Sequence, residues 1–217
     1  MEQQERPLET VRTIASMLES FGLGMPDATV PLMPHNPLWA EAFLWIKSKI
    51  HEQLGFMTTL PKIEHFGSTC IPGIVAKPVL DMILIFDDLK TLQQAIRPRE
   101  ELGFIYEGDA VSEVEGVAPD PCRHAFSFRN VSNDVNYIYL HAYVQGHPNA
   151  LRNLQFRDKL LLSPELAKEY GALKELWRNS NSSRREYSRA KDPFIKKVES
   201  MENRLFAKVN SQSTQAF

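Results

Sequence analysis

A single carboxylate set in an otherwise apolar run constrains this chain more than any other feature. Residues 79–86, VLDMILIF, are apolar except for Asp81. Apolar side chains at both odd and even positions predict a central strand covered on both faces. A carboxylate there is costly to bury unless it is paired, hydrogen-bonded or bound to a metal. Just ahead, residues 63–73 (IEHFGSTCIPG) read as a short strand, a Gly-Ser-Thr turn and a Pro-Gly turn, and Lys77-Pro78 lead into the apolar run. Gly67 lets the backbone approach a ligand, Ser68 offers a hydroxyl, and the N–H groups of a small-residue turn can cradle an anion. Turn and carboxylate together predict a site for a phosphorylated ligand, with Asp81 as an oxygen ligand to Mg²⁺. Plainer readings compete. Gly67-Ser68 is also what an ordinary turn with a helix cap looks like, and Asp81 could be a structural residue bonded to backbone N–H groups or to Lys77.

The bulk properties narrow the field without deciding it. At 217 residues the chain fits one domain with appendages. A formal charge of -2 gives no global basic field, so nothing supports broad DNA or membrane binding. Two cysteines, Cys70 and Cys122, with no CxxC, make no disulfide framework, and a cytoplasmic location is the default expectation. Residues 1–24 carry Glu2, Glu5 and Glu9 and no long apolar core, which reads as neither signal peptide nor membrane span.

Along the chain, residues 7–21 show Leu8, Val11, Ile14, Ala15 and Leu18 at helical spacing, an amphipathic appendage that could dock on the domain or on a partner. Four prolines make residues 22–37 extended, with a short strand possible at 30–33. Helices are expected at 38–54 and at 89–102, the second kinked or restarted by Pro98. Residues 103–107 read as an edge strand and 109–121 as an acidic loop. Residues 123–129 and 136–144 alternate as half-buried strands, with Asn133-Asp134 between them as a hairpin signal. Three helices follow at 150–162, 164–177 and 192–209, with the polar stretch SNSSRREY (180–187) as a loop and the last residues as a disordered tail. The fold class is α/β (α+β): a mixed sheet of about five strands flanked by helices, then a helical C-terminal part.

Further candidates lie on the later elements. Arg123 can clamp phosphate. His141, flanked at alternate positions by Tyr139 and Tyr143, can act as ligand, base or phosphate contact. That Tyr-His-Tyr face suits a base or nucleoside, and equally reads as an ordinary aromatic face covered by solvent. His35, His51 and His147 read as surface residues. Tyr170 and Lys174, four apart, share a helix face. With Arg157, Tyr187 and Lys191, also in the helical C-terminal part, they could close over a polyanion, or simply form a solvated face.

These pieces, in this order, resemble the GrpB family, small proteins of the nucleotidyltransferase superfamily. The resemblance rests on IEHFGSTCIPGIVAKPVLDMIL, RHAF, YLHAYV, LQFRDKLLLSPELAKEYGALK and YSRAK. It implies a nucleotidyltransferase-like mixed sheet flanked by helices over residues 25–200, with 1–24 as a helical appendage and 201–217 as helix end and tail. It also implies a Gly-Ser turn at Gly67-Ser68 and a first catalytic carboxylate at Asp81. Two Mg²⁺ ions bridging three acids would align the nucleotide in such sites. Here the second acid position is Ile83, and the later strand offers His141. The expectation is therefore a protein that binds a nucleotide or another phosphorylated small molecule, with an atypical Mg²⁺-dependent transfer as one outcome. A nucleotide- or CoA-precursor-binding module, or a scaffold with a relict pocket, is the alternative. Gly67, Ser68, Lys77, Asp81, Arg123, His141, Arg157 and Lys174 are expected to converge on one cleft. Arg123 and Lys174 would hold phosphate, Asp81 a single Mg²⁺, and His141 would orient substrate or act as base.

Overall fold

The computed structural model describes residues 2–26, 31–96, 101–109, 120–130, 133–180 and 184–201. Helix α1 (Glu2–Ser20) buries Ile14, Ala15 and Leu18, and its Glu19 accepts a hydrogen bond from the Tyr137 hydroxyl. The N-terminal helix is thus docked on the sheet. Strand β1 is only Met25–Pro26. Helix α2 (Leu38–Gln53) buries Trp39, Ala42, Ile46 and Ile50, a stripe at three- and four-residue spacing.

Strands β2 (Lys62–Phe66) and β3 (Leu80–Phe86) pair antiparallel. Helix α3 (Leu89–Gln94) opens at Asp88, whose carboxylate accepts from the Thr91 N–H at 2.8 Å. It breaks at Ala95; Ile96 and Glu101 are helical again, and the Pro98 between them lies outside the described residues. Edge strand β4 (Ile105–Asp109) pairs with β5 (Arg123–Asn130), which pairs antiparallel with β6 (Val135–Val144). Most of the stretch read as an acidic loop, and the tail beyond 201, are also outside the described residues.

The strands run in the order β2-β3-β6-β5-β4, and β1 adds to the start of β6. The two-residue β1 takes the sheet to six strands where the pattern predicts about five, because a strand that short has no period to detect. β3 and β6 are parallel neighbours. Leu80, Met82, Leu84 and Phe86 face the main core with Leu140, Phe126 and Phe128, under α1, α2 and α3. Asp81, Ile83 and Ile85 alternate onto the opposite face.

That face is covered by the last quarter of the chain: α4 (Pro148–Leu162), α5 (Pro164–Ser180), α6 (Arg184–Ala190) and α7 (Asp192–Ser200). Ala150 and Leu154 pack on Ile83 and Tyr143. The Tyr-His-Tyr face is therefore roofed by helices rather than by solvent. A second correction concerns 180–187. Residues from Arg184 onward are helical, because burying Tyr187 at 2% exposure stabilises a turn that its polar neighbours do not advertise. Helix α7 ends at Ser200, short of the predicted 209. Among the described residues no helix is long and apolar enough to cross a membrane.

Candidate functional site

Where the chain leaves β2 it must turn over the start of β3. Phe66 sits opposite Asp81 in the antiparallel ladder, so Gly67 comes next, directly above that carboxyl. Gly67 has φ 73° and ψ −169°, a conformation open essentially to glycine alone. A 3₁₀ turn, Ser68–Cys70, follows, and Ile71 and Ile74 pin the loop by packing with Leu160, Ala167, Phe194 and Val198. The loop returns through Lys77 to β3. On the other side of β3, the parallel ladder sets Tyr139 beside Asp81 and His141 beside Ile83. Asp81 and His141 therefore share one sheet face.

Two cavities meet at Ser68, Asp81, His141 and Lys191, which line both. The larger, about 590 Å³, is also lined by Thr69, Lys77, Val79, Tyr139, Lys174 and Tyr187. The smaller, about 240 Å³, is lined chiefly by Phe66, Ile71, Phe156, Leu160, Tyr170 and Ile195, with Gly67, Asn153 and Arg157 at its polar edges. Of the residues singled out in the sequence, Gly67, Ser68, Asp81, His141 and Arg157 line the smaller cavity, and Ser68, Lys77, Asp81, His141 and Lys174 the larger.

Arg123 lines neither. It lies opposite Tyr143 on β5, with its side chain hydrogen-bonded to Tyr143 and its charge felt by His141. Arg157 reaches the smaller cavity but is already engaged. Its Nη1 donates to Glu64 at 2.8 Å and to the His65 carbonyl at 2.9 Å, and its Nε donates to Asp158 at 2.8 Å. Ser68 is hydrogen-bonded to Tyr170. His147, expected at the surface, is buried. It accepts from the Asn149 N–H at the start of α4 and meets Asp120 at 2.7 Å.

The charge balance is the distinctive property. Burial pushes the Asp81 carboxyl up to about 6, against the pull of Lys191, Lys77 and Lys174. Burial likewise drives Lys174 down to about 7, and repulsion from Lys191 adds to it, while Asp81 opposes. Lys191 is lowered by burial too, with Asp81 opposing. Lys174 is only 2% exposed, donates to the Val75 carbonyl and lies 5.5 Å from the centre of the Tyr170 ring. Lys77 and Lys191 lie over the Tyr187 ring at 4.8 and 5.2 Å. His141 is held neutral, lowered to about 4 by burial and by Arg123. Its Nδ1 and the Tyr187 hydroxyl are buried without hydrogen-bond partners among the described residues.

Sequence reasoning counted Lys191 and Tyr187 among the C-terminal residues that could close over a polyanion but gave neither a role in the site. Nothing local distinguishes one lysine in a polar segment. The available signal was the YSRAK block itself, which carries both.

This donor set does not suit a protein-held Mg²⁺. Such an ion is held by oxygen ligands, through one or two carboxylates plus substrate phosphates. Here one carboxylate faces three ammonium groups. The neighbouring positions on β3 and β6 are Ile83 and the neutral His141, neither of which offers an oxygen ligand. Among the described residues no group of three or more His, Cys, Asp or Glu side chains comes together as a metal ligand set.

The GrpB protein family model matches residues 29–201, which takes in every element from α2 to α7. The chain belongs to the GrpB family. Among GrpB relatives, the UPF0157 protein YqkA of Bacillus subtilis is 32% identical over 192 residues, 88% of this chain. The match spans 52% of that relative's length. The glutamate-rich protein GrpB of Alkalihalophilus pseudofirmus is 26% identical over 81% of this chain and 97% of its own. The crystal structure of the conserved protein GrpB from Enterococcus faecalis superposes with a TM-score of 0.65 at 27% identity, over 78% of this chain and 94% of that one. The mixed sheet with its flanking helices is therefore an architecture shared with a solved GrpB structure.

Proposed function

We propose that the Asp81 cavity binds a phosphorylated small molecule, nucleotides included, and that lysines rather than a protein-held metal neutralise its phosphates. One observation carries this reading: Lys77, Lys174 and Lys191 converge with a single carboxylate on a cavity of about 590 Å³. Positive charge buried inside a protein is unfavourable. It becomes an asset when an anion enters, because the fixed ammonium groups lose little by meeting it. The volume lies within the range of about 300–1,000 Å³ usual for small-molecule pockets. Ser68, Thr69 and Tyr187 add hydroxyl groups around the rim.

Binding is favoured over nucleotidyl transfer. Two-metal transfer depends on acids that hold and align the ions, and Ile83 and His141 stand where those acids would be. The test uses thermal shift and calorimetry with pyrophosphate, ATP and GTP, with Mg²⁺ or with EDTA, alongside an assay for released pyrophosphate. The expected result is a stabilising shift that survives EDTA, no turnover, and affinity about tenfold weaker in Lys174→Met and in Lys191→Met. No shift with any of these anions defeats the proposal. A shift abolished by EDTA defeats its metal-free part, and turnover lost on Asp81→Ala would restore the transferase reading.

A further inference from the structure

The smaller cavity carries an apolar wall that the lysine chamber lacks. Aromatic and aliphatic side chains come to it from four separate parts of the chain, Phe66 on β2, Ile71 in the loop, Phe156 and Leu160 on α4, and Ile195 on α7, beside the polar Ser68, Asp81, Arg157 and Lys191. Its volume, about 240 Å³, exceeds the roughly 150 Å³ sufficient for an apolar cavity to take a benzene ring. Its wall next to Asp81 includes His141, whose Nδ1 is buried without a partner among the described residues. A neutral imidazole there can donate or accept one hydrogen bond. Asn153 adds an amide at the same cavity. An inorganic anion would leave the Phe66, Ile71, Phe156, Leu160 and Ile195 part of this surface unused.

We propose that the ligand is a phosphate monoester of a compact aromatic alcohol, with its phosphate among Lys77, Lys174 and Lys191 and its ring in the Phe66–Phe156–Leu160 chamber. This rests on the phosphate-site reading above and adds the identity of the other half of the ligand. The ester bond crosses between chambers at Asp81 and His141, the wall they share. Phe66 lies T-shaped to His141 with ring centres 5.6 Å apart, so an aromatic guest meets ring edges as well as faces.

Calorimetry at one pH with methyl phosphate and phenyl phosphate isolates the ring, since the phosphate group is common to both. Phenyl phosphate should bind about tenfold or more tightly. In Asn153→Phe, which fills the chamber, the ratio of the two affinities should fall towards one. If that variant does not fold, Ile195→Ala serves in its place, because a larger chamber should raise the affinity ratio of naphthyl phosphate to phenyl phosphate. Equal affinities for methyl and phenyl phosphate in the wild-type protein overturn this inference and leave the phosphate site standing. A ratio unmoved by Asn153→Phe also overturns it. Failure of pyrophosphate and of both esters to bind removes the phosphate site, and this inference with it.

Discussion

The Asp81 carboxyl lies against the Cα of Gly67 so closely that a methyl group there would fall 2.2 Å from Oδ2 and 2.9 Å from the Asp81 Cβ. Glycine is required twice, by this contact and by the backbone conformation. Gly67→Ala should therefore destabilise the fold by about 1–3 kcal/mol from backbone strain alone, with the displacement of Asp81 adding to it. Urea unfolding measures the loss. A variant as stable as the wild type would mean that the Gly67–Asp81 contact relaxes freely.

Asp81→Asn keeps the shape and removes the one negative charge among three lysines. On the electrostatic reading, phosphate and pyrophosphate should bind roughly tenfold more tightly in this variant, because an anion no longer meets a like charge a few ångströms away. Titration calorimetry near neutral pH, above the Asp81 pKa of about 6, gives the answer. Weaker binding would show that the carboxylate serves the ligand directly, as a metal ligand would.

Lys174 and Asp81 give stability opposite pH dependences. The Lys174 pKa is lowered from 10.5 to about 7, so its contribution is fully present above 10.5 and is lost as pH falls towards 7, where the unfolded chain takes up a proton first. The Asp81 pKa is raised from 3.8 to about 6, so its contribution is fully present below 3.8 and is lost as pH rises to 6. Between about pH 10 and pH 7, wild type should lose stability relative to Lys174→Met by up to about 1.4 kcal/mol per pH unit. Urea unfolding of both proteins across that range reads the slope, and parallel curves would contradict it. Lys77 and Lys191 repel Lys174 within the same cluster, so replacing either should raise the Lys174 pKa, and with it the pH at which the loss ends, leaving a smaller total loss.

Lys159 is a buried lysine with a purely structural place. Its Nζ donates to the carbonyls of Val198, Glu199 and Met201 at 2.9, 3.3 and 2.8 Å, closing the C-terminal end of α7. Lys159→Met should cost about 1.5–3 kcal/mol and should speed proteolysis near residue 200, both measurable without a ligand. Unchanged cleavage would mean that α7 is held elsewhere, for instance by Phe194 and Val198 in their apolar cluster.

Much of this was legible in the residues because it is local. Strand β3 announces itself through apolar side chains at both parities, and α2 through its stripe. What escaped depends on partners far along the chain. α6 is a short polar segment whose helicity is decided by where Tyr187 is buried. His147 looks like a surface residue until Asp120 is brought to 2.7 Å from it. Arg123 shows the limit of strand period, which fixes the face of a side chain but not its distance from a cavity. Lys191, one of several C-terminal residues that could close over a polyanion, could be given no role for the same reason, since only the docking of the C-terminal helices brings it to Asp81.

Lys77 lies before the central strand, whereas Lys174 on α5 and Lys191 at the junction of α6 and α7 follow the entire sheet. The β-scaffold is therefore complete in the sequence before two of the three cations occur, so on the phosphate-site reading the sheet alone has no means of capturing an anion, and binding depends on the docking of the C-terminal segment.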